Sequence, residues 1–384
     1  MDKQRWINLF AAIAAISVFG FTLGLMFPLL SLIMERDGVS PEMIGYNNAM
    51  QPLGILLSGF IAPKLVKTFG AHRTAIVAAL ITAGIVFAYP LLPALGAWFV
   101  LRLLHGAAVS TLFSVSEAWI VRYSEGPYRT RLLAVYASIL SASFGGGPAL
   151  IAWTGIDGIL PFAIGAAVLA AGSIPILLVR EPQADEEESP AMTILSFAPK
   201  APVLLLAVGA FAIIDAANLG LLPVYGVKKG LPQETASFML TVFAVGNVFL
   251  QLPIGWLADH MNKRVVMAGC AIATCLASAA IPMAFGSWMM WPLILVSGAA
   301  SAGIYTVALA ELGERFKGTE LVSGTSSFAT MWGIGALFGA VMAGWAFDSY
   351  GPDGLPYSVA LTFAAFIMLI IIRAATQKRV PKRA

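Results

Sequence analysis

Apolar residues fill long stretches of this chain, and the polar ones gather in short clusters between them. The pattern predicts about twelve helical spans, near residues 6–34, 43–63, 74–94, 96–121, 131–155, 160–179, 202–226, 234–258, 265–285, 287–311, 321–347 and 355–374. Each is close to the ~20 apolar residues that one bilayer crossing takes. The first is longer than a signal-peptide core and has no small-residue cleavage site close behind it, so it is expected to be retained.

The pattern also repeats. LGLMFPLL at 23–30 returns as LGLLPVYG at 219–226, an offset of about 196 that Gly59 and Gly255 share. HGAAVS at 105–110 faces SGAASA at 297–302, and Trp153 faces Trp345, both 192 apart. Loop insertions are expected to account for the drift. The expected fold is an all-α membrane protein, with twelve transmembrane helices in two pseudo-symmetric six-helix bundles. The bundles would take residues 1–180 and 202–384, joined by a cytoplasmic linker at 181–201. Six spans per half give both halves the same orientation.

Composition agrees with a membrane setting. The chain of 384 residues is 59% hydrophobic and 11% charged, against about 25% charged for a soluble domain. The net charge of +3 gives no sign of a nucleic-acid partner. Placement of the charges says more. If the N-terminus is cytoplasmic, the inward loops hold all but four of the 23 basic residues. The outer loops keep only Arg36, Lys228 and Lys229, and Arg102 lies inside a span. By the positive-inside rule this puts both termini in the cytoplasm.

One loop and one span carry a recognisable signature. GWLADHMNKR at 255–264 follows the eighth span and supplies Gly255, Asp259, Lys263 and Arg264, while RLLHG at 102–106 sits in the fourth. The whole chain resembles the major facilitator superfamily. The first resembles that family's conserved cytoplasmic loop and the second its Arg-x-x-x-Gly motif. In the N-terminal copy, GFIAPKLVKTFGAHR (59–73), Pro63 stands where the acid should be and the loop is longer. The stretch SEAWIV at 116–121 and the short chain are most similar to a small bacterial branch mostly without assigned substrates. The resemblance implies a secondary transporter of the bacterial inner membrane that works by alternating access. It implies a gating role for the loop residues; the alternative is that Lys263 and Arg264 only fix orientation.

Ionisable residues within spans cost about 2.5–3.5 kcal/mol each at a helix centre on insertion scales, so they face a cavity or a partner. Asp215 sits mid-span with Asn218 one turn along; it is either a site for a coupling proton or substrate, or a bonded strut. Arg102, one turn from His105, either meets an anionic group or braces helices. Glu117 and Glu311 precede Arg122 and Arg315 at the inner ends of spans 4 and 10, which points to structural ion pairs; they are also candidates for the gating set with the loop residues.

Most tryptophans fall near span ends, as interfacial anchors do. Trp332 lies mid-span, and Tyr136 and Tyr305 are away from the outer belts. With Asn47, Asn48, Gln51, Asn247 and Gln251 they are candidates to line a polar cavity with stacking faces. FGGGP at 144–148 resembles the start of a motif of proton-coupled exporters, but Leu150 and Ile151 break the continuation and span 1 carries no central acid.

Other chemistries are not encoded. There is no phosphate-binding Gly-x-x-x-x-Gly-Lys-Ser/Thr loop. Cys270 and Cys275 share one span and form no disulfide framework, and His72, His105 and His260 are scattered. No cofactor, metal or enzymatic activity is expected. The expected function is uptake of a small planar nutrient such as riboflavin, with proton coupling and function as a monomer. Efflux of drugs or amphipathic compounds is the alternative. A passive channel or membrane receptor is the alternative of another class.

Overall fold

The computed structural model describes residues 3–123, 129–179 and 197–377. Most of the expected linker, and several of the loop arginines and lysines, therefore lie outside the described residues. Among those described, the chain is helical with no strand. The elements are α1 (Lys3–Arg36), α2 (Pro41–Phe69), α3 (Ala71–Ala88), α4 (Leu95–Tyr123), α5 (Arg129–Thr154) and α6 (Leu160–Ser173). They continue with α7 (Pro202–Lys228), α8 (Gln233–Phe249), α9 (Gln251–His260), α10 (Lys263–Ala284), α11 (Met290–Arg315), α12 (Gly318–Tyr350) and α13 (Gly354–Gln377).

Helices satisfy all but their terminal backbone donors and acceptors within the segment, which lipid demands. Their ends are written locally. Ser40 caps α2 by accepting from the Met43 amide at 3.3 Å, with Pro41 beginning the helix. Gly70 ends it with φ +83°, a conformation that costs glycine little. Asn262 caps α10 by accepting from the Arg264 amide at 2.9 Å. Among the described residues eleven helices are long and apolar enough to cross a bilayer, with α8 and α9 counted as one. The expected fifth span, α5, is a 26-residue helix that is not among the eleven.

The chain divides into two compact units. The first is Met1–Glu187 with Leu219–Thr241, and the second is Glu188–Asn218 with Val242–Ala384. Within the first unit the C-terminal turns of α7 pack on the N-terminal helices. Lys228 Nζ pairs with Glu35 Oε1 at 3.1 Å, and Gly220 lies directly against the Asn48 amide. The most enclosed helices are α1 and α7, 72% buried over their apolar windows against 22% for α8–α9.

Both units use one packing device. On α2 and α4, Gly54 lies against the Leu103 carbonyl and Gly106 against the Gln51 carbonyl, too close for any side-chain carbon. On α8 and α11, Gly246 lies against the Leu295 carbonyl and Gly298 against the Phe243 carbonyl in the same way. All four residue pairs are 192 apart. Small residues of this kind let membrane helices approach and gain dispersion contacts. Gly106→Val should therefore destabilise the protein by about 1–3 kcal/mol, as overpacking does, read as a lower melting temperature in detergent.

These contacts correct the register read from sequence. Gly54 and Gly246 are 192 apart but Gly59 and Gly255 are 196 apart. The four extra residues fall inside a span, where Leu250 interrupts the helix between α8 and α9, and not in a loop. In the first helix of each unit, Gly147 packs on the Gly24 peptide as Gly339 packs on that of Ile213. The phrases LGLMFPLL and LGLLPVYG are thus out of structural register by about two helical turns of 3.6 residues. The expected tryptophan belt also needs revision. Trp6, Trp153, Trp256, Trp288 and Trp345 are exposed, but Trp98 and Trp119 are buried. Trp98 donates to the Leu92 carbonyl at 2.9 Å.

Candidate functional site

Three polar clusters interrupt the apolar helices. The first centres on Arg102 of α4, which is completely buried. Its Nε donates to Asn47 Oδ1 at 3.1 Å, and its terminal nitrogens donate to Gln51 Oε1 and Asn48 Oδ1 at 2.6 Å each. The three amides stand at i, i+1 and i+4 on α2, which brings them to one side of that helix. Asn48 in turn donates to Ser31 Oγ of α1 at 3.0 Å. The Phe27 ring lies under the guanidinium, 4.7 Å from Cζ, an arrangement that favours a desolvated cation.

No carboxylate pairs with Arg102 among the described residues. Donors are in excess: Asn47 Nδ2, Gln51 Nε2 and the Tyr89 hydroxyl are buried without a partner, as are both ring nitrogens of His105. Asn47 and Gln51 are thus brought together as the cradle of an arginine. The places 192 residues on are Met239, Leu240, Phe243 and Ile294, all buried and all apolar.

The second cluster lies in the other unit. Asp215 of α7 is half-buried, and the Trp332 indole of α12 donates a hydrogen bond to its carboxylate. Trp332 also packs on Ala212, Ala216 and Ala336, whose small side chains bring α7 and α12 close. Aromatic rings continue from this pair. Phe211, one turn before Asp215, has its centroid 5.4 Å from that of Tyr305 on α11. Tyr305 is 6.3 Å from Phe328, which lies one turn before Trp332. Phe211, Tyr305 and Trp332 are half-buried, while Phe328 is enclosed. Asn218, a turn beyond Asp215, is buried.

The third cluster joins the start of α10 to the end of α11. Lys263 Nζ pairs with Glu314 at 2.7 Å. Glu311 Oε1 takes Arg315 at 3.1 Å and Arg264 at 3.6 Å. The expected Glu311–Arg315 pair is present, and Glu311 is largely buried. Asp259 is exposed at the end of α9 and forms no ion pair with Lys263 or Arg264 among the described residues; Glu311 and Glu314 hold those cations instead. Lysine and arginine at a helix start oppose its dipole, as glutamate does at a helix end, so pairing the two ends offsets both. Gly255 lies on α9 in open space. Glu117 is exposed on α4 and has no ion pair with Arg122 among the described residues.

The remaining sequence candidates are occupied by structural bonds. Tyr136 shares a hydrogen bond of 2.7 Å with Ser116. Gln251 accepts from Thr306 at 2.8 Å and donates to the Ala299 carbonyl at 3.2 Å, tying α9 to α11. Asn247 is half-buried with its side-chain oxygen unpartnered. Phe211, Phe328, Phe27 and Glu314 were not singled out from sequence. The four-residue spacings Phe211–Asp215 and Phe328–Trp332 were the available signal for two of them. Among the described residues no cluster of side chains could hold a metal ion.

Many apolar spans around a few deliberate intramembrane charges define a multi-pass membrane protein of the transporter type. Comparison with known proteins makes this specific. The sequence matches the Major Facilitator Superfamily over residues 12–238 and again over 204–384. The chain belongs to that superfamily, and it is a transporter and not an enzyme. The uncharacterized MFS-type transporter YfkF of Bacillus subtilis (strain 168) is 20% identical over 371 residues, spanning 95% of each chain. The uncharacterized MFS-type transporter YcaD of Escherichia coli (strain SE11) is 23% identical over 351 residues, 90% of each. Among solved structures, the nucleoside transporter NupG matches with a TM-score of 0.77 at 12% identity, covering 99% of this chain and all of that one. A bacterial homologue of the human lysosomal transporter Spinster matches with a TM-score of 0.73 at 13% identity, covering 98% and 96%.

Proposed function

We propose that this protein is a secondary active transporter that moves a small planar organic solute across the bacterial inner membrane by alternating access. The observation that carries the reading is the half-buried carboxylate of Asp215, bonded to Trp332, with Phe211 one turn before it packed on Tyr305. A mid-span charge is expensive, and aromatic faces beside it suit a flat ligand. In this reading twelve spans form two six-helix bundles, 1–180 and 202–384, with the 181–201 linker and both termini in the cytoplasm. The protein acts as a monomer, and the proton gradient drives it through Asp215.

Uptake is favoured by the departures from exporter patterns. α1 carries no acid before Glu35, and Leu150 and Ile151 replace the expected glycines. Riboflavin is one test solute. A second is a nucleoside, because NupG is a nucleoside transporter of similar fold. Asn47, Gln51 and Gln251, which would have bonded a flavin edge, are engaged by Arg102 and Thr306, so the proposal rests on planarity and names a class rather than one nutrient. The test is accumulation of labelled riboflavin and labelled nucleosides by cells lacking other importers, with and without a protonophore. Protein-dependent accumulation that collapses with the gradient supports the reading. If neither enters while preloaded planar compounds leave faster, transport runs outward.

The loop carries a separate prediction. Asp259 has no ion pair among the described residues and stands at the end of α9, four residues before Lys263, so in this reading it takes over Lys263 or Arg264 from Glu314 or Glu311 as the loop moves. Asp259→Asn should slow turnover and leave solute affinity within a few-fold, measured as Vmax against KM. A large loss of affinity at normal turnover would remove the loop from gating.

A further inference from the structure

The Asp215 site has a charge with no counter-charge. Asp215 forms no ion pair among the described residues, and its bonded partner is the neutral Trp332 indole. On the three helices that carry the site, sequence and helix geometry place none within reach. α12 contains no lysine or arginine, and the basic residues of α7 and α11 are Lys228 and Arg315, at the last turns. Arg315 lies ten residues beyond Tyr305, ~15 Å along the axis at 1.5 Å per residue. The groups near the carboxylate are instead aromatic: Trp332 beside it, and Phe211 one turn before it on α7, packed on Tyr305, which neighbours Phe328. Aromatic rings next to one carboxylate can attract a cation twice over, through the quadrupoles and through the charge.

We propose that this is a binding site for a flat organic cation, a protonated or quaternary heteroaromatic, which brings the positive charge that the protein omits. The solute's ring lies against Phe211 and Tyr305, and its cationic edge takes over the carboxylate from the Trp332 indole. This rests on the planar-solute reading and adds a charge to it; a carboxylate that holds the cation carries no proton, so entry of a cationic solute is driven by the membrane potential acting on its own charge. An uncharged flat molecule gains the ring contacts alone, and a carbonyl edge such as a flavin's meets repulsion from the carboxylate. The arrangement differs from that around Arg102, where rings and amides hold a cation supplied by the protein.

The test is equilibrium binding of two tritiated probes of nearly equal shape, N-methylquinolinium and N-methyl-2-quinolone, to the purified full-length protein in detergent. The cation should bind more tightly by roughly tenfold or more, a difference of one good charge contact. Asp215→Asn should erase that preference and leave the neutral probe within twofold, about the effect expected where only stacking remains. Phe211→Leu should weaken both probes. Thermal melting establishes that each variant is folded; if Asp215→Asn is not, the preference of the wild-type protein still decides. Equal binding of the two probes overturns the cation and leaves the planar solute standing. Binding of neither by folded protein overturns both.

Discussion

Asp215→Asn is expected to abolish uphill accumulation while leaving exchange of solute across the membrane intact at saturating concentration. The amide keeps the size of the side chain and its acceptor for the Trp332 indole, so packing of α7 on α12 is preserved. What it loses is the ability to carry a proton or to meet a cation. Exchange needs only a loaded site that reorients, whereas accumulation needs a group whose occupancy couples the gradient to that movement. Lower affinity for a cationic solute is overcome by concentration; lost coupling is not. The measurement is counterflow and net uptake in the same proteoliposomes with an imposed proton gradient. Accumulation at the wild-type level in the variant would remove Asp215 from coupling.

Much of this was legible before any coordinates. Long apolar runs announce helices because lipid leaves the backbone no other choice. Arg102 and Asp215 stood out as charges within spans, since their cost demands a reason. The partners were another matter. Asn47, Asn48 and Gln51 looked like cavity lining, because their spacing shows one face of α2 but not that α4 delivers an arginine onto it. The loop motif placed Asp259 nearest Lys263 and Arg264 in sequence, yet Glu311 and Glu314 reach those cations from the neighbouring helix. Sequence proximity is a poor guide where antiparallel helices bring distant ends together. Register failed for a related reason. A run of common apolar residues can match a turn or two away from its structural equivalent, whereas glycines seated on a facing carbonyl cannot slide, and those keep the 192 spacing.

Arg102→Met is expected to be the most damaging single change, leaving too little folded protein to assay. It would strand the oxygens of Asn47 and Gln51 away from water and leave that of Asn48 only the Ser31 hydroxyl at 3.4 Å. Each unsatisfied buried group costs about 1–3 kcal/mol, a large share of the 5–15 kcal/mol that holds a typical domain together. Failure of that variant would not reveal what the arginine is for. The pair of α8 and α11 supplies the comparison. These two helices make the same glycine-on-carbonyl contact with Met239, Leu240, Phe243 and Ile294 at the corresponding places. Close packing of this helix pair therefore does not require a charge, and replacing a buried polar network with apolar groups of similar shape is often neutral or stabilising. The joint variant Asn47→Leu, Asn48→Leu, Gln51→Met and Arg102→Met removes the arginine and its three amides at nearly constant shape. It is expected to recover a melting temperature close to the wild type and to transport nothing. Recovery of both would make the cluster a brace that the α8–α11 pair does without. Recovery of the fold alone would mean that the uncompensated charge is kept for transport, since packing gives no reason to keep it.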